Sequence, residues 1–118
     1  MLFRSANIAA YRHGEPWLDD VVAYLDDSRR LLADLLARQL PQVRYRPPDG
    51  TYLGWLDCTA MDLPDSPGAL VTEASRVTVV DGPAFGAGGA GAFRFNFATP
   101  QPILATMVER IAAVLEAR

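Results

Sequence analysis

Leu18, Val21, Val22, Leu25, Leu32, Leu35, Leu36 and Leu40 recur close to every 3.6 residues, the spacing of one face of an α-helix. The pattern predicts a long helix from about Trp17 to Leu40, with Pro16 in its first turn and Pro41 as its stop. Asp26–Arg30 and Asp34–Arg38 stand four apart with the acid first, the favourable order for surface pairs. Upstream, Ala6–Tyr11 reads as the tail of another helix. Arg12-His13-Gly14-Glu15-Pro16 reads as a break. Met1–Ser5 carry no readable pattern.

Beyond Pro41 the period shortens. Val43-Arg44-Tyr45 reads as a short strand and Pro47-Pro48-Asp49-Gly50 as a turn. Thr51–Asp57 reads as a second strand, apolar on both faces and therefore expected at the centre of a sheet. Gly54 inside it suggests close approach of another backbone or a ligand. Ser66 and Pro67 have the form of an N-cap and first-turn proline, opening a helix to about Arg76. Val77–Val80 is a run of β-branched residues and reads as a strand. After the glycine-rich loop Asp81–Gly91, the segment Ala92–Ala98 alternates. Phe93, Phe95 and Phe97 take one side, Arg94 and Asn96 the other. Thr99-Pro100 then caps a final helix with the stripe Ile103, Leu104, Met107, Val108, Ile111, Val114 and Leu115. The order predicts an α/β fold: a small sheet with helices packed against it, preceded by a long helix.

With 118 residues, the chain is one domain or a piece of one. Short chains bury a smaller share of their surface, so a partner surface is expected to contribute to its stability. A net charge of −3 leaves no basic footprint for nucleic acid. No apolar run suits a bilayer span, and the first residues do not read as a signal peptide. Cys58 stands alone, which excludes an internal disulfide and makes the cytoplasm the expected location. All 11 Lys and Arg residues are arginine, so the chain contains no lysine.

Candidate chemistry is sparse. Gly86-Ala87-Gly88-Gly89-Ala90-Gly91 matches G-x-G-x-x-G, but a dinucleotide loop must open a helix, and this one leads into the alternating strand. The simpler reading is a connection between strands. His13, the only histidine, lacks partners for a metal site. Cys58 reads as a buried residue rather than a nucleophile, and Tyr52 and Trp55 as packing residues. No catalytic residue, metal ligand or cofactor-binding residue can be assigned. Arg94 is the one sharper case. Alternation alone places it on a solvated sheet face, yet arginine is also the side chain suited to gripping a carboxylate with two parallel hydrogen bonds.

Three motifs in order change that balance. They are Pro48-Asp49-Gly50-Thr51-Tyr52-Leu53-Gly54-Trp55-Leu56-Asp57, Asp81-Gly82-Pro83-Ala84-Phe85-Gly86, and Phe93-Arg94-Phe95-Asn96-Phe97-Ala98. Together they resemble the C-terminal domain of fold-type I, pyridoxal-phosphate-dependent class I/II aminotransferases, and more closely the cystathionine β-lyase (MalY/PatB-type C–S lyase) branch. Tyr11–Asp19 is similar to the segment that leads into that branch's long inter-domain helix. The resemblance runs from about Ala6 to Leu115.

It implies that residues 6–118 are the small domain of such an enzyme, without the large domain that holds the cofactor on a lysine. It also implies that Arg94 binds the substrate α-carboxylate, that Tyr52 is a second substrate-binding residue, and that Thr51-Tyr52 and the loop with Phe85 and Gly86 lie near the mouth of the site. The implied reaction releases a thiol, pyruvate and ammonia from a sulfur amino acid. The alternatives are transamination by a class I/II aminotransferase, or a non-catalytic binding domain of the same fold. The implied partners are an amino acid substrate, the large domain and a second subunit of a homodimer; neither nucleic acid nor a membrane is implied. The isolated chain is expected to be inactive.

Overall fold

The computed structural model describes residues 2–117. Helix α1 spans Leu2–His13 and α2 spans Glu15–Gln39. The expected break between them is one residue wide. The Gly14 amide donates to the Ala10 carbonyl at 2.7 Å, and the Leu18 amide donates to the Gly14 carbonyl at 2.9 Å. Pro16 interrupts nothing, because first-turn amides have no intrahelical acceptor. Leu2–Ser5, which showed no pattern, are helical. Their lack of periodicity has a simple cause: α1 buries none of its residues. Met1 lies outside the described residues.

The apolar stripe of α2 is covered only in its second half. Ser28, Leu32, Leu35 and Leu36 are buried, whereas Leu18 and Val22 are more than half exposed. The radius of gyration, 16.6 Å, exceeds the roughly 13 Å typical of a compact domain near this size, consistent with the uncovered α1 and start of α2. Asp26 pairs with Arg30 at 2.6 Å and also with Arg29. The second expected pair does not form; Arg38 Nε donates instead to the Asp34 backbone carbonyl at 3.2 Å.

Strands β1 (Arg44–Tyr45), β2 (Leu53–Asp57), β3 (Val80–Asp81) and β4 (Ala92–Asn96) form one antiparallel sheet in the order β1-β2-β4-β3. β2 is central, as expected, but only one of its faces is covered: Gly54 and Leu56 are buried while Trp55 is 39% exposed. Thr51 and Tyr52 fall outside the strand, with Thr51 in the left-handed region at φ 67°. Val77–Val79 do not join the sheet either. The Val77 amide donates to Ser75 Oγ and the Val79 amide to Thr72 Oγ1, so side chains of the preceding helix replace the ladder. The close approach at Gly54 comes from an aromatic side chain: a Cβ there would sit 2.9 Å from Tyr45 Cε2.

Helix α3 covers Pro67–Ser75 and α4 covers Gln101–Glu116. With the second half of α2 they close over one sheet face. Phe93, Phe95 and Phe97 are fully buried there with Leu32, Leu56, Leu104, Val108 and Ile111, so the register read from the alternation holds. Burying three such rings contributes several kcal/mol at about 25 cal/mol per Å². Within the predicted α4 stripe Ile103 is exposed, and Ala112 is buried instead. Neither expected N-cap acts as one. Ser66 makes no capping bond; the Gly68 amide donates to Asp81 Oδ1. Pro100 occupies the cap position of α4, and the Gln101 amide donates to the Tyr24 hydroxyl at 2.8 Å.

Candidate functional site

The uncovered face of the sheet carries the candidate site. β2 and β4 place Trp55 directly opposite Arg94, and β3 sets Val80 on the other side of Arg94. Strand alternation forces this. With three phenylalanines turned to the core, Arg94 must point away from it. Phe85 comes from the short 3-10 turn Gly82–Phe85 that follows β3. Its ring lies 4.9 Å from Arg94 Cζ, within cation–π range. Trp55 meets the same ring edge-to-face, with centroids 5.6 Å apart and planes at 75°. Phe85 is half exposed and Trp55 39% exposed, so neither the tryptophan nor the phenylalanine serves the core.

Arg94 has no acidic partner among the described residues. The nearby carboxylates are engaged elsewhere. Asp57 accepts from the Thr59 amide at 2.9 Å and the Thr59 hydroxyl at 2.6 Å, and pairs with Arg44 at 2.7 Å. These contacts, the Thr59 hydroxyl first, hold its carboxyl below the ordinary value. Asp81 is committed to the Gly68 amide. The result is a half-buried guanidinium, set over one ring and lacking a counter-charge among the described residues. Such a group can take a planar anion, a carboxylate above all.

Tyr52 does not share this cluster. It is exposed rather than packed, and it lines a groove with Trp17, Val21, Tyr24 and Pro100 on the side of α2. Its backbone still belongs to the sheet register, accepting from the Phe97 amide at 3.0 Å. By its sequence pattern Trp55 is a packing residue; only the register of β2 against β4 reveals it as the neighbour of Arg94.

The glycine loop is no dinucleotide cradle. Ala87–Gly89 form a single 3-10 turn, and Gly91 leads into β4 rather than a helix. Its glycines serve a backbone contact. A Cβ on Gly89 would lie 1.9 Å from the Gly82 carbonyl oxygen, and one on Gly82 would lie 2.0 Å from the Gly89 oxygen. His13 sits exposed in the last turn of α1, and no metal-binding group of His, Cys, Asp and Glu exists among the described residues. Cys58 is 1% exposed. Burial first, and then Asp57, push its thiol up to about 12, so it is a poor nucleophile at neutral pH. Among the described residues no helix is long and apolar enough to cross a membrane.

No family model matches the chain. Curated proteins do. A Mycobacterium leprae protein provisionally named cystathionine beta-lyase is 40% identical over 93% of this chain and 31% of its own length. Protein MalY of Escherichia coli is 34% identical over 97% of this chain and 30% of its own. Cystathionine beta-lyase PatB of Bacillus subtilis is 33% identical over 91% and 28%. The chain thus spans about 30% of the length of these relatives. Among solved structures, the PLP-bound C–S lyase of Staphylococcus hominis in complex with L-cycloserine superposes with a TM-score of 0.86 at 31% identity. That match covers 93% of this chain and 30% of that one. A β-cystathionase from Corynebacterium diphtheriae, assigned provisionally as PLP-dependent, gives 0.87 at 33%, over 92% and 29%. Sequence and fold agree over nine-tenths of this chain, which has the architecture of the PLP-dependent transferase fold and is a partial-length match to its cystathionine β-lyases and C–S lyases.

Proposed function

We propose that this chain is the small domain of a PLP-dependent C–S β-lyase and that it contributes the arginine that binds the substrate α-carboxylate. The observation that carries the proposal is Arg94: a guanidinium on the open sheet face, set over the Phe85 ring and without an acidic partner among the described residues. The reaction class follows the relatives and cleaves a sulfur amino acid to a thiol, pyruvate and ammonia.

Pyridoxal phosphate does not fit the residues of this chain alone. There is no lysine to hold it, and the Gly82–Gly91 loop is closed on its own backbone instead of forming a phosphate cradle. The group therefore belongs to a large domain, and the work of this chain is orientation. A carboxylate held by two in-plane N–H donors fixes the direction of the neighbouring Cα, and misplacement of a reacting atom by about 1 Å can cost about a hundredfold in rate. The uncovered Trp17, Leu18 and Val22 are the surface such a domain would cover, and the assembled enzyme is expected to be a cytoplasmic homodimer.

Transamination is the second reading. It is favoured by a Clostridium difficile structure, provisionally named a PLP-bound aminotransferase, that matches with a TM-score of 0.85. Reading the coding sequence upstream of Met1 tests the domain assignment. An in-frame large domain containing a lysine supports it, and unrelated sequence there overturns it. Product analysis of the complete enzyme with L-cystathionine then separates pyruvate and ammonia release from amino-group transfer.

A further inference from the structure

We infer that Phe85 is a positioning residue for Arg94: its ring holds the guanidinium in place on the open sheet face, so that the N–H donors turned away from the ring are presented to a carboxylate ligand. This rests on the reading of Arg94 as the carboxylate clamp and adds a second residue to that site.

The geometry separates the two surfaces of the guanidinium. Arg94 Cζ lies over the Phe85 ring, 4.9 Å from its centroid, and the N–H groups turned away from the ring stay free to donate to a ligand. No carboxylate of the described residues holds Arg94 in place, and the Phe85 ring is the cation–π contact found for its guanidinium. The ring is itself held. Trp55 meets it edge-to-face at 5.6 Å, and the turn that carries it is anchored where buried Gly82 and Gly89 press together. Phe85 is 50% exposed, more than a residue serving only the core would be, so its apolar burial does not account for its place.

The test uses the 118-residue chain, with sodium acetate as the carboxylate probe at constant ionic strength against sodium chloride. Binding is followed by NMR at Arg94 Nε–Hε and at the β4 backbone amides. In the unmodified protein the Arg94 signal is displaced by the ring and moves saturably with acetate. Phe85→Leu removes the ring displacement and raises the half-saturating acetate concentration about two- to fivefold, the loss expected of one exposed cation–π contact. Phe85→Tyr keeps the ring face and behaves as the unmodified chain. If Phe85→Leu binds acetate as well as the unmodified protein while Arg94→Lys abolishes saturation, the clamp stands and the Phe85 inference falls. If acetate moves the signals of no variant, the clamp reading falls and takes the inference with it.

Discussion

The Asp81 carboxylate accepts a hydrogen bond from the Gly68 amide at 2.8 Å, so α3 is capped by a residue from β3 rather than by its own Ser66. Gly68 is the second helical residue, the usual donor to a cap, and the negative charge also suits the positive end of the helix. Asp81→Ala is expected to cost about 1 kcal/mol of stability, with Asp81→Asn losing less. Ser66→Ala is expected to stay within about 0.5 kcal/mol. Urea unfolding of the three variants checks the assignment; a larger loss from Ser66→Ala than from Asp81→Ala would reverse it.

Gly54 and Gly50 make a contrasting pair. A Cβ at Gly54 would meet Tyr45 Cε2 at 2.9 Å and Leu32 Cδ2 at 3.5 Å, while one at Gly50 meets nothing within 4 Å. Gly54→Ala is expected to destabilise by about 1–3 kcal/mol through overpacking. Gly50→Ala is expected to be neutral or mildly stabilising, because it restricts the unfolded chain. Thermal unfolding of the two variants side by side gives the comparison.

Arg94→Lys separates charge from geometry. Lysine keeps the cation but loses both the planar fork and the stack on Phe85. In the complete enzyme, kcat/KM for amino acid substrates should fall at least about tenfold. Cofactor content, read from the absorbance of the pyridoxal group, should stay unchanged. Wild-type turnover, or loss of the cofactor instead, would remove Arg94 from the carboxylate site.

The pH dependence on the acid side should trace to Asp57. Its pKa is lowered in the fold, chiefly by the Thr59 hydroxyl and amide and with help from Arg44. Below the ordinary carboxylate pKa of about 4, the unfolded chain binds more protons than the folded one. The stabilisation is therefore complete above that value and is lost as pH falls through the folded pKa. Thr59→Ala should flatten the stability profile below about pH 4 and leave it unchanged in shape above about pH 6. Denaturant midpoints measured across that range test this.

Cys58 sets an opposite limit. Its folded pKa is pushed up to about 12, so above about pH 9 the unfolded chain ionises first and stability falls as pH rises. At pH 8 the buried thiol should resist an aromatic disulfide reagent in the native protein and react fully in denaturant. Rapid native labelling would show that the site opens.

Local chemistry determined much of this protein. The 3.6-residue stripe of α2, the alternation of Ala92–Ala98 and the proline and glycine punctuation depend on near neighbours, and they fixed the element order and the buried face of β4. The ordered motifs around Gly54, Phe85 and Arg94 carried the family resemblance. What the sequence could not disclose were long-range pairings. A cap at Ser66 looks complete until Asp81 arrives from β3. Val77–Val79 has strand propensity, yet Ser75 and Thr72 satisfy its amides first. Leu18 and Val22 have a core-like period, yet both stay more than half exposed. The pairing of Trp55 with Arg94, and the placing of Phe85 over that guanidinium, depend on strand register and on a loop closed by Gly82 and Gly89. Only the packed tertiary structure, in which three phenylalanines hold β4 in one orientation against α4, decides those contacts.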